Sequence, residues 1–476
     1  MPQQRVQSSN AAAEASHWLE QMRRQTPDRL RSRPPLTGPR DADVCIVGAG
    51  YTGLWTAYEL KRADPSLEVV VLEARFAGYG ASGRNGGAVI AQMNGSREYW
   101  DTRGGAGGAV RMERALQAAV DEVGAAMARE DMGAFVKGGV VTTARNALEA
   151  RGLRKSVDED RAAGFTEQDS VYLDAAAAAE RIRIAEAVGA RFSPHSASVN
   201  PAELVRGLVD AVERLGVTIY EDTPVTAIEA RRARTAVGDV SARVVVRATE
   251  AYTQSLESHR RRIIPVRTSM IVTEPLTDDL WHEIGWDRRE TLLGLHPFLH
   301  LQHTEDGRIT IGGADNRLPY RAGSRPCPDG SAYPAVAELY RRELVGLFPM
   351  LRDTRIDRTW HGVFGVSRVW AAGVNYDRSS GVVWGGGYVG EGLASSNLAA
   401  RTMRDLILER DTELTRLPWV GALPRRWEPE PLRLVGAGGI WGIRAVGDRR
   451  EKRTGQRSPL VALANRLAGF SGHLGG

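Results

Sequence analysis

Cysteine is almost missing from this chain of 476 residues: there are two, Cys45 and Cys327. Thiols so far apart in sequence offer no disulfide framework, and Cys45, inside the apolar run Val44-Cys45-Ile46-Val47, reads as a small buried hydrophobe. Lysine is scarce too, found only at Lys61, Lys137, Lys155 and Lys452, so arginine carries nearly all the positive charge. The basic excess, 63 against 58, is mild and reads as a solvated surface, which argues against a nucleic-acid partner. No run approaches the roughly 20 apolar residues that a spanning helix needs. MPQQRVQSSNAAAEAS, at the start, has no apolar signal core. A cytoplasmic protein with no transmembrane segment and no metal site is therefore expected.

What remains is the composition of a folded protein, 42% hydrophobic and 25% charged, long enough for two or three domains or one large two-domain enzyme. Polar residues open the chain, His17 to Arg24 suits a short helix, and Pro34-Pro35 ends it. From Asp43 the pattern sharpens into an apolar strand, Val44 to Val47, glycines, a helix with Leu54, Ala57, Tyr58 and Leu60, and a second strand, Val69 to Leu72. This is a βαβ unit with buried parallel strands. A helix is expected over Pro201 to Leu215, and strands near Val217 to Tyr220, Val225 to Ile228 and Val244 to Val246. Residues 440–476 are basic, and Ser458-Pro459 suits the start of a last packing helix, with a membrane contact left open by the arginines nearby.

Gly48-x-Gly50-x-x-Gly53 follows the first strand and opens the helix. Those glycines permit a tight turn, close approach of backbone to a pyrophosphate, and close strand–helix packing. Glu73 ends the next strand, where a carboxylate accepts ribose hydroxyls, so strand, glycines, helix and acid together predict a dinucleotide site. A second glycine-rich loop, Gly80-Ala81-Ser82-Gly83-Arg84-Asn85-Gly86-Gly87, follows within a few residues. It suits a cofactor whose phosphates and ring are both gripped by main chain, although a surface loop would carry the same residues.

The run DADVCIVGAGYTGLWTAYELKRADPSLEVVVLEARFAGYGASGRNGG resembles the opening of the D-amino-acid oxidase superfamily of FAD-dependent oxidoreductases, and within it the gamma-glutamylputrescine oxidase-like branch. NPAELVRGLVDAVERLGVTIYEDTPVTAIEA, VVVRATEAYT and GGGYVGEGLASSNLAARTMRDLI resemble that branch in the same order, so the likeness spans Trp18 to Trp427. It implies that Gly48, Ala49, Gly50, Tyr51, Thr52 and Gly53 hold the FAD pyrophosphate and that Glu73, Ala74 and Arg75 surround the adenosine ribose. It implies further that Gly80, Ala81, Ser82, Gly83, Arg84, Asn85, Gly86 and Gly87 pass towards the flavin. Val225 matches a position whose backbone meets the adenine, and Ala248 and Thr249 lie in the matching VVVRATEAYT stretch. Gly386, Gly387, Tyr388, Val389 and Gly390 match the loop before a helix whose N-terminal dipole stabilises negative charge at the flavin N1–O2 edge.

The substrate side is less legible. TLLGLHPFLHLQHTEDGRITIGGADN suits strands covering the flavin, with histidines at 296, 300 and 303 that serve equally as catalytic groups or as satisfied core and surface residues. In TWHGVFGVSRVW, His361, Phe364 and two tryptophans suit an aromatic pocket or a packed strand pair. His361, Phe364 and His300 are the candidate substrate residues. Similarity to sarcosine oxidases places Gly362 where those enzymes link flavin to cysteine and Thr310 where they carry a lysine that helps oxygen accept electrons. FAD is therefore expected to be non-covalent, and reoxidation by oxygen slow unless His361 or an arginine supplies the positive charge, Lys137 being the lysine to check as a substitute.

The expected architecture is α/β (α+β): a Rossmann-type FAD domain from 41–94, 194–264 and 360–410, a mixed-sheet substrate domain from 95–193 and 265–359, and extensions at 1–40 and 411–476. The expected activity is oxidation of a C–N bond in a small amine or amino acid by hydride transfer to flavin N5, giving an imine and, with oxygen, hydrogen peroxide. A flavin dehydrogenase or biosynthetic oxidase using another acceptor on an unusual nitrogen compound, and a non-catalytic flavin-binding protein, stay open as alternatives.

Overall fold

In the computed structural model, residues 15–295, 298–314, 334–423, 425–454 and 456–468 are described. Two eight-stranded sheets form the framework, joined by a sheet of three. The first sheet is built on the apolar runs that open the chain: Arg40–Val47 lies parallel to Val69–Leu72 on one side and to Asp239–Arg247 on the other. Thr218–Tyr220 extends it beyond Val69–Leu72, and Val382–Gly386 joins it parallel to the end of Asp239–Arg247. Parallel strands covered on both faces need no polar alternation, which is why Val69-Val70-Val71-Leu72 is buried throughout.

One face is covered by Tyr51–Ala63, which is buried from Tyr51 to Lys61 because two further helices, Pro201–Arg214 and Gly392–Ile407, pack around it. Asn200 starts Pro201–Arg214 by accepting from the N–H groups of Ala202 and Glu203. Gly108–Glu130 joins the same core through Met112, Leu116, Val120, Val123 and Met127, a stripe at helical spacing. The chain from 95 to 193 therefore does not separate cleanly from the first sheet.

The second sheet runs in the order Ile356–Ser367, Ile263–Thr273, Ile309–Ala314, Leu299–His303, Thr291–Gly294, Val140–Ala144, Gly189–Ser193 and Val171–Asp174. Pro334–Leu347 packs on one face, with Tyr340, Leu344 and Leu347 against Ile271, Ile309 and Ile311. Ile356–Ser367 is laddered to Ile263–Thr273 from end to end, so a domain boundary at 360 would cut a continuous set of hydrogen bonds. Ala88–Ile90, Ser196–Val199 and Phe135–Val136 form the small third sheet beside the second glycine-rich loop. The expected last helix is present as Pro459–Ala468, with the Ser458 hydroxyl accepting from Leu460 N–H.

Candidate functional site: a glycine-lined cradle facing a second sheet

The end of the first strand turns so tightly that side chains have no room. Gly48 has φ +107°, and a Cβ there would lie 2.6 Å from the Ala248 carbonyl oxygen; one on Gly53 would lie 1.9 Å from the Gly48 carbonyl. Ala248 N–H in turn donates to Val47 O, and the adjacent Thr249 hydroxyl pairs with Thr253 at 2.8 Å. Gly50 stands at the N-cap of Tyr51–Ala63 and brings no capping side chain, so the positive end of that helix dipole faces the turn. Glu73 closes the turn: its Oε2 accepts from Ala49 N–H and its Oε1 from Arg75 N–H, each at 2.9 Å, while Ala74 and Arg75 themselves are exposed. Burial, against which these backbone donors act, pushes the Glu73 carboxyl up to about 7. Val225 is brought close by the short link from Glu73, whose carbonyl accepts the Thr223 N–H.

The second glycine loop folds back onto this turn. Ser82 Oγ accepts Tyr51 N–H at 2.9 Å, at the helix terminus itself. Asn85 ties the loop internally, donating to the Ala81 and Ser82 carbonyls and accepting from Gly87 N–H. Gly87, at φ +82°, would place a Cβ 2.2 Å from the Val199 carbonyl oxygen, and Gly80 would place one 3.2 Å from the Tyr252 ring. Arg84 donates to Tyr79 O and His361 O and lies over the Tyr79 ring.

Three consecutive carbonyls of this loop are held from outside it: Ser16 donates to Gly83 O at 2.6 Å, Trp360 to Arg84 O at 2.7 Å and Trp18 to Asn85 O at 2.8 Å. Sequence reasoning missed these donors because their acceptors are main-chain atoms distant in sequence.

The third wall is the run Gly386 to Gly390 ahead of Gly392–Ile407. Gly387, Val389 and Gly390 all have positive φ, and for Val389, a β-branched residue, +54° is strained. Tyr388 reaches across to Thr52, hydroxyl to hydroxyl at 3.0 Å, and its carbonyl accepts from Asn94. Glu250, not singled out in the sequence, accepts from the N–H groups of Gly387 at 3.2 Å and Tyr388 at 3.3 Å.

The substrate candidates divide. His300 is brought to the cradle: a Cβ on Gly86 would lie 2.6 Å from His300 Nδ1, and one on Gly312 would lie 2.9 Å from its Cε1. Burial lowers its pKa to about 4, so the imidazole is neutral at pH 7. Phe364 packs with Val389 of the third wall, together with Val366 and Trp427. His361 is oriented otherwise. Its neighbours Trp360 and Gly362 face Arg84, and strand alternation therefore turns the His361 side chain to the opposite face of the sheet, while its carbonyl accepts from Arg84. His303 stacks on Trp281 with centroids 3.6 Å apart, and His296 lies outside the described residues, as does Cys327. Lys137 pairs with Asp121 on the surface, and the buried Thr310 hydroxyl has no partner among the described residues.

A backbone cradle in which a Cβ on Gly48, Gly53 or Gly87 would strike a main-chain oxygen, a helix N-terminus beside it and an acid at the neighbouring strand end fit the pyrophosphate and ribose of FAD. The DAO family, described as FAD dependent oxidoreductase, matches residues 43–406. The chain is 28% identical to the probable oxidoreductase OrdL of Haemophilus influenzae over 80% of this chain and 86% of that one. It is also 28% identical to the gamma-glutamylputrescine oxidoreductase of Escherichia coli, over 79% and 86%. Among solved structures, glycine oxidase from Geobacillus kaustophilus shares the fold with a TM-score of 0.68 at 20% identity, covering 82% of this chain and all of that one. L-proline dehydrogenase from P. horikoshii does so with a TM-score of 0.65 at 19% identity, covering 80% and 98%. The chain belongs to the DAO family of FAD-dependent oxidoreductases.

Proposed function

We propose that this enzyme oxidises the C–N bond of a small amine or amino acid in the space between the Ser82–Gly87 loop and the second sheet. The observation that carries the reading is the seating of His300 against Gly86 and Gly312, which puts a half-buried, neutral imidazole at the loop assigned to the flavin. FAD, when bound, supplies the acceptor for the hydride that leaves the carbon next to nitrogen. An amine releases that hydride as the free base. A neutral His300 orients it by hydrogen bonding without adding a positive charge that would oppose the developing iminium. Phe364, packed on Val389, keeps water from one side, and Arg84, Trp360, Trp18 and Ser16 hold the loop in register. The names of the relatives support the substrate class: gamma-glutamylputrescine, glycine and L-proline each carry an oxidisable C–N bond.

In this reading the cofactor unit is the first sheet with its helices, and the second sheet is the substrate unit. The assigned contacts to FAD are Gly48 to Gly53, Glu73 to Arg75, Gly80 to Gly87, Val225, Ala248, Thr249 and Gly386 to Gly390. The test is anaerobic mixing of the FAD-loaded enzyme with a panel of polyamines, N-alkyl glycines and amino acids. Bleaching of the flavin by one class identifies the substrate; bleaching by none, with dithionite still effective, overturns the proposal.

An acceptor other than oxygen is the second reading, favoured by where the lysines lie. Lys61 donates to the Pro65 and Leu67 carbonyls, Lys137 pairs with Asp121 and Lys155 with Glu159, so none of these three reaches the cradle. Oxygen consumption slower than reduction of a soluble dye at saturating amine would support it, and the reverse order would rule it out.

A further inference from the structure

The mild positive balance of the chain is not spread evenly. Residues 432–468 contain eight arginines and lysines against two acids, so this short stretch exceeds the net charge of the whole chain, +5, and the remainder is slightly negative. The stretch is a hairpin of two helices, Leu432–Thr454 and Pro459–Ala468, packed on each other closely enough that a Cβ on Gly447 would touch Val461 at 2.6 Å. Of the seven large hydrophobic residues that stand exposed on the described chain, four are here: Leu432, Val435, Val446 and Leu463, the first two at 63% and 68%.

Their spacing makes them a surface. Leu432, Val435, Gly439, Gly442 and Val446 are all exposed and follow one another at steps of three and four, a single outer stripe of the first helix. It holds no charged residue until Arg449 and Arg450, both exposed, and Arg457 follows in the turn. We propose that this hairpin is a docking surface for an anionic lipid bilayer, its aliphatic stripe entering the acyl boundary and its arginines meeting the headgroups.

The arrangement of charge selects this occupant. A nucleic acid would be met by charge along the stripe, whereas the stripe is aliphatic and the charge lies at its end. A second copy would bring two strongly basic hairpins together. A negative leaflet attracts the hairpin and leaves the slightly acidic remainder of the chain facing away. No helix among the described residues is long and apolar enough to cross a membrane, so the contact is peripheral. The hairpin is tied to the site described above, because the Trp427 indole just before it donates to Val366 O and Arg368 pairs with Glu428. The proposal does not depend on the substrate reading.

The test is sedimentation of the full FAD-loaded chain with vesicles of phosphatidylcholine alone or with about a third phosphatidylglycerol. Sedimentation with the anionic vesicles only, lost as salt is raised, is the expected result. Val435→Ser/Val446→Ser should weaken partitioning about tenfold by withdrawing two aliphatic side chains from hydrocarbon. Arg449→Glu/Arg450→Glu should weaken it at least as much. Both variants should keep the parent FAD content, which shows that they fold. Failure of the parent protein to sediment at low salt, equal sedimentation with neutral vesicles, or binding indifferent to both variants would overturn the proposal. So would capture by duplex DNA that the valine variant leaves unchanged, or a dimer in solution that the valine variant dissociates.

Discussion

The carboxylate of Glu250 accepts the backbone N–H of Tyr388 at 3.3 Å, together with that of Gly387 at 3.2 Å, and so ties the turn that follows strand Asp239–Arg247 to the loop assigned to the flavin edge. Glu250 has φ +40°, a conformation costing about 1 kcal/mol in a residue other than glycine, which the tie must offset. Glu250→Gln replaces one acceptor oxygen by an amide donor that faces N–H groups. FAD affinity should fall by roughly tenfold or more. Fluorescence titration of apoprotein checks this, and an unchanged dissociation constant would remove Glu250 from the site.

Burial pushes the Glu250 carboxyl up to about 7 from the ordinary 4.5. The folded chain therefore binds more protons at this group than the unfolded chain between about pH 4.5 and 7. Its contribution to stability falls as pH rises through that window and is level above it. Relative to the parent, the apoprotein of Glu250→Gln should gain in Tm from pH 5 to pH 7.5. Thermal melts in which the difference does not change with pH would contradict the assignment.

Glu73 receives two backbone donors and is the one acid at the end of the second parallel strand. Glu73→Ala should give protein that folds but loses FAD on gel filtration, with affinity lower by roughly 10- to 100-fold, the worth of a charge-assisted acceptor. Full retention of flavin, or retention of NAD in its place, would show that the ribose lies elsewhere.

Gly86 and His300 are close enough that one extra methyl group decides between them. Gly86→Ala should displace His300 and lower both FAD content and turnover. Adding His300→Ala makes room for the methyl, so the double variant should regain FAD content while remaining slow. If the double variant holds no more flavin than Gly86→Ala, the clash is not the cause.

FAD should be held without a covalent bond. Cys45 is fully buried in the first strand, Gly362 offers no nucleophile beside Arg84, and GASGRNGG contains no histidine. Acid precipitation should release all the yellow colour to the supernatant; flavin left in the pellet, or a peptide heavier by the mass of FAD, would refute this.

The βαβ opening, its glycines and Glu73 were legible in the sequence because each is demanded locally. Uninterrupted valines announce a covered parallel strand, and a turn that admits no Cβ within about thirty residues can be written only with glycine. The helices begun by Asn200 and Ser458 were equally local, since capping needs only adjacent residues. Tertiary structure alone decided the rest. His361 and His300 look alike as sequence, yet strand register turns one away from Arg84 and seats the other on Gly86. The ladder from Ile263 to Val272, continued past a register shift to Thr273, carries Ile356–Ser367 into the second sheet, a pairing across some ninety residues that no local pattern encodes. Ser16, Trp18, Trp360 and Glu250 act on backbone atoms brought close by the fold, and a main-chain carbonyl or N–H leaves no mark in the sequence to show which distant side chain will find it.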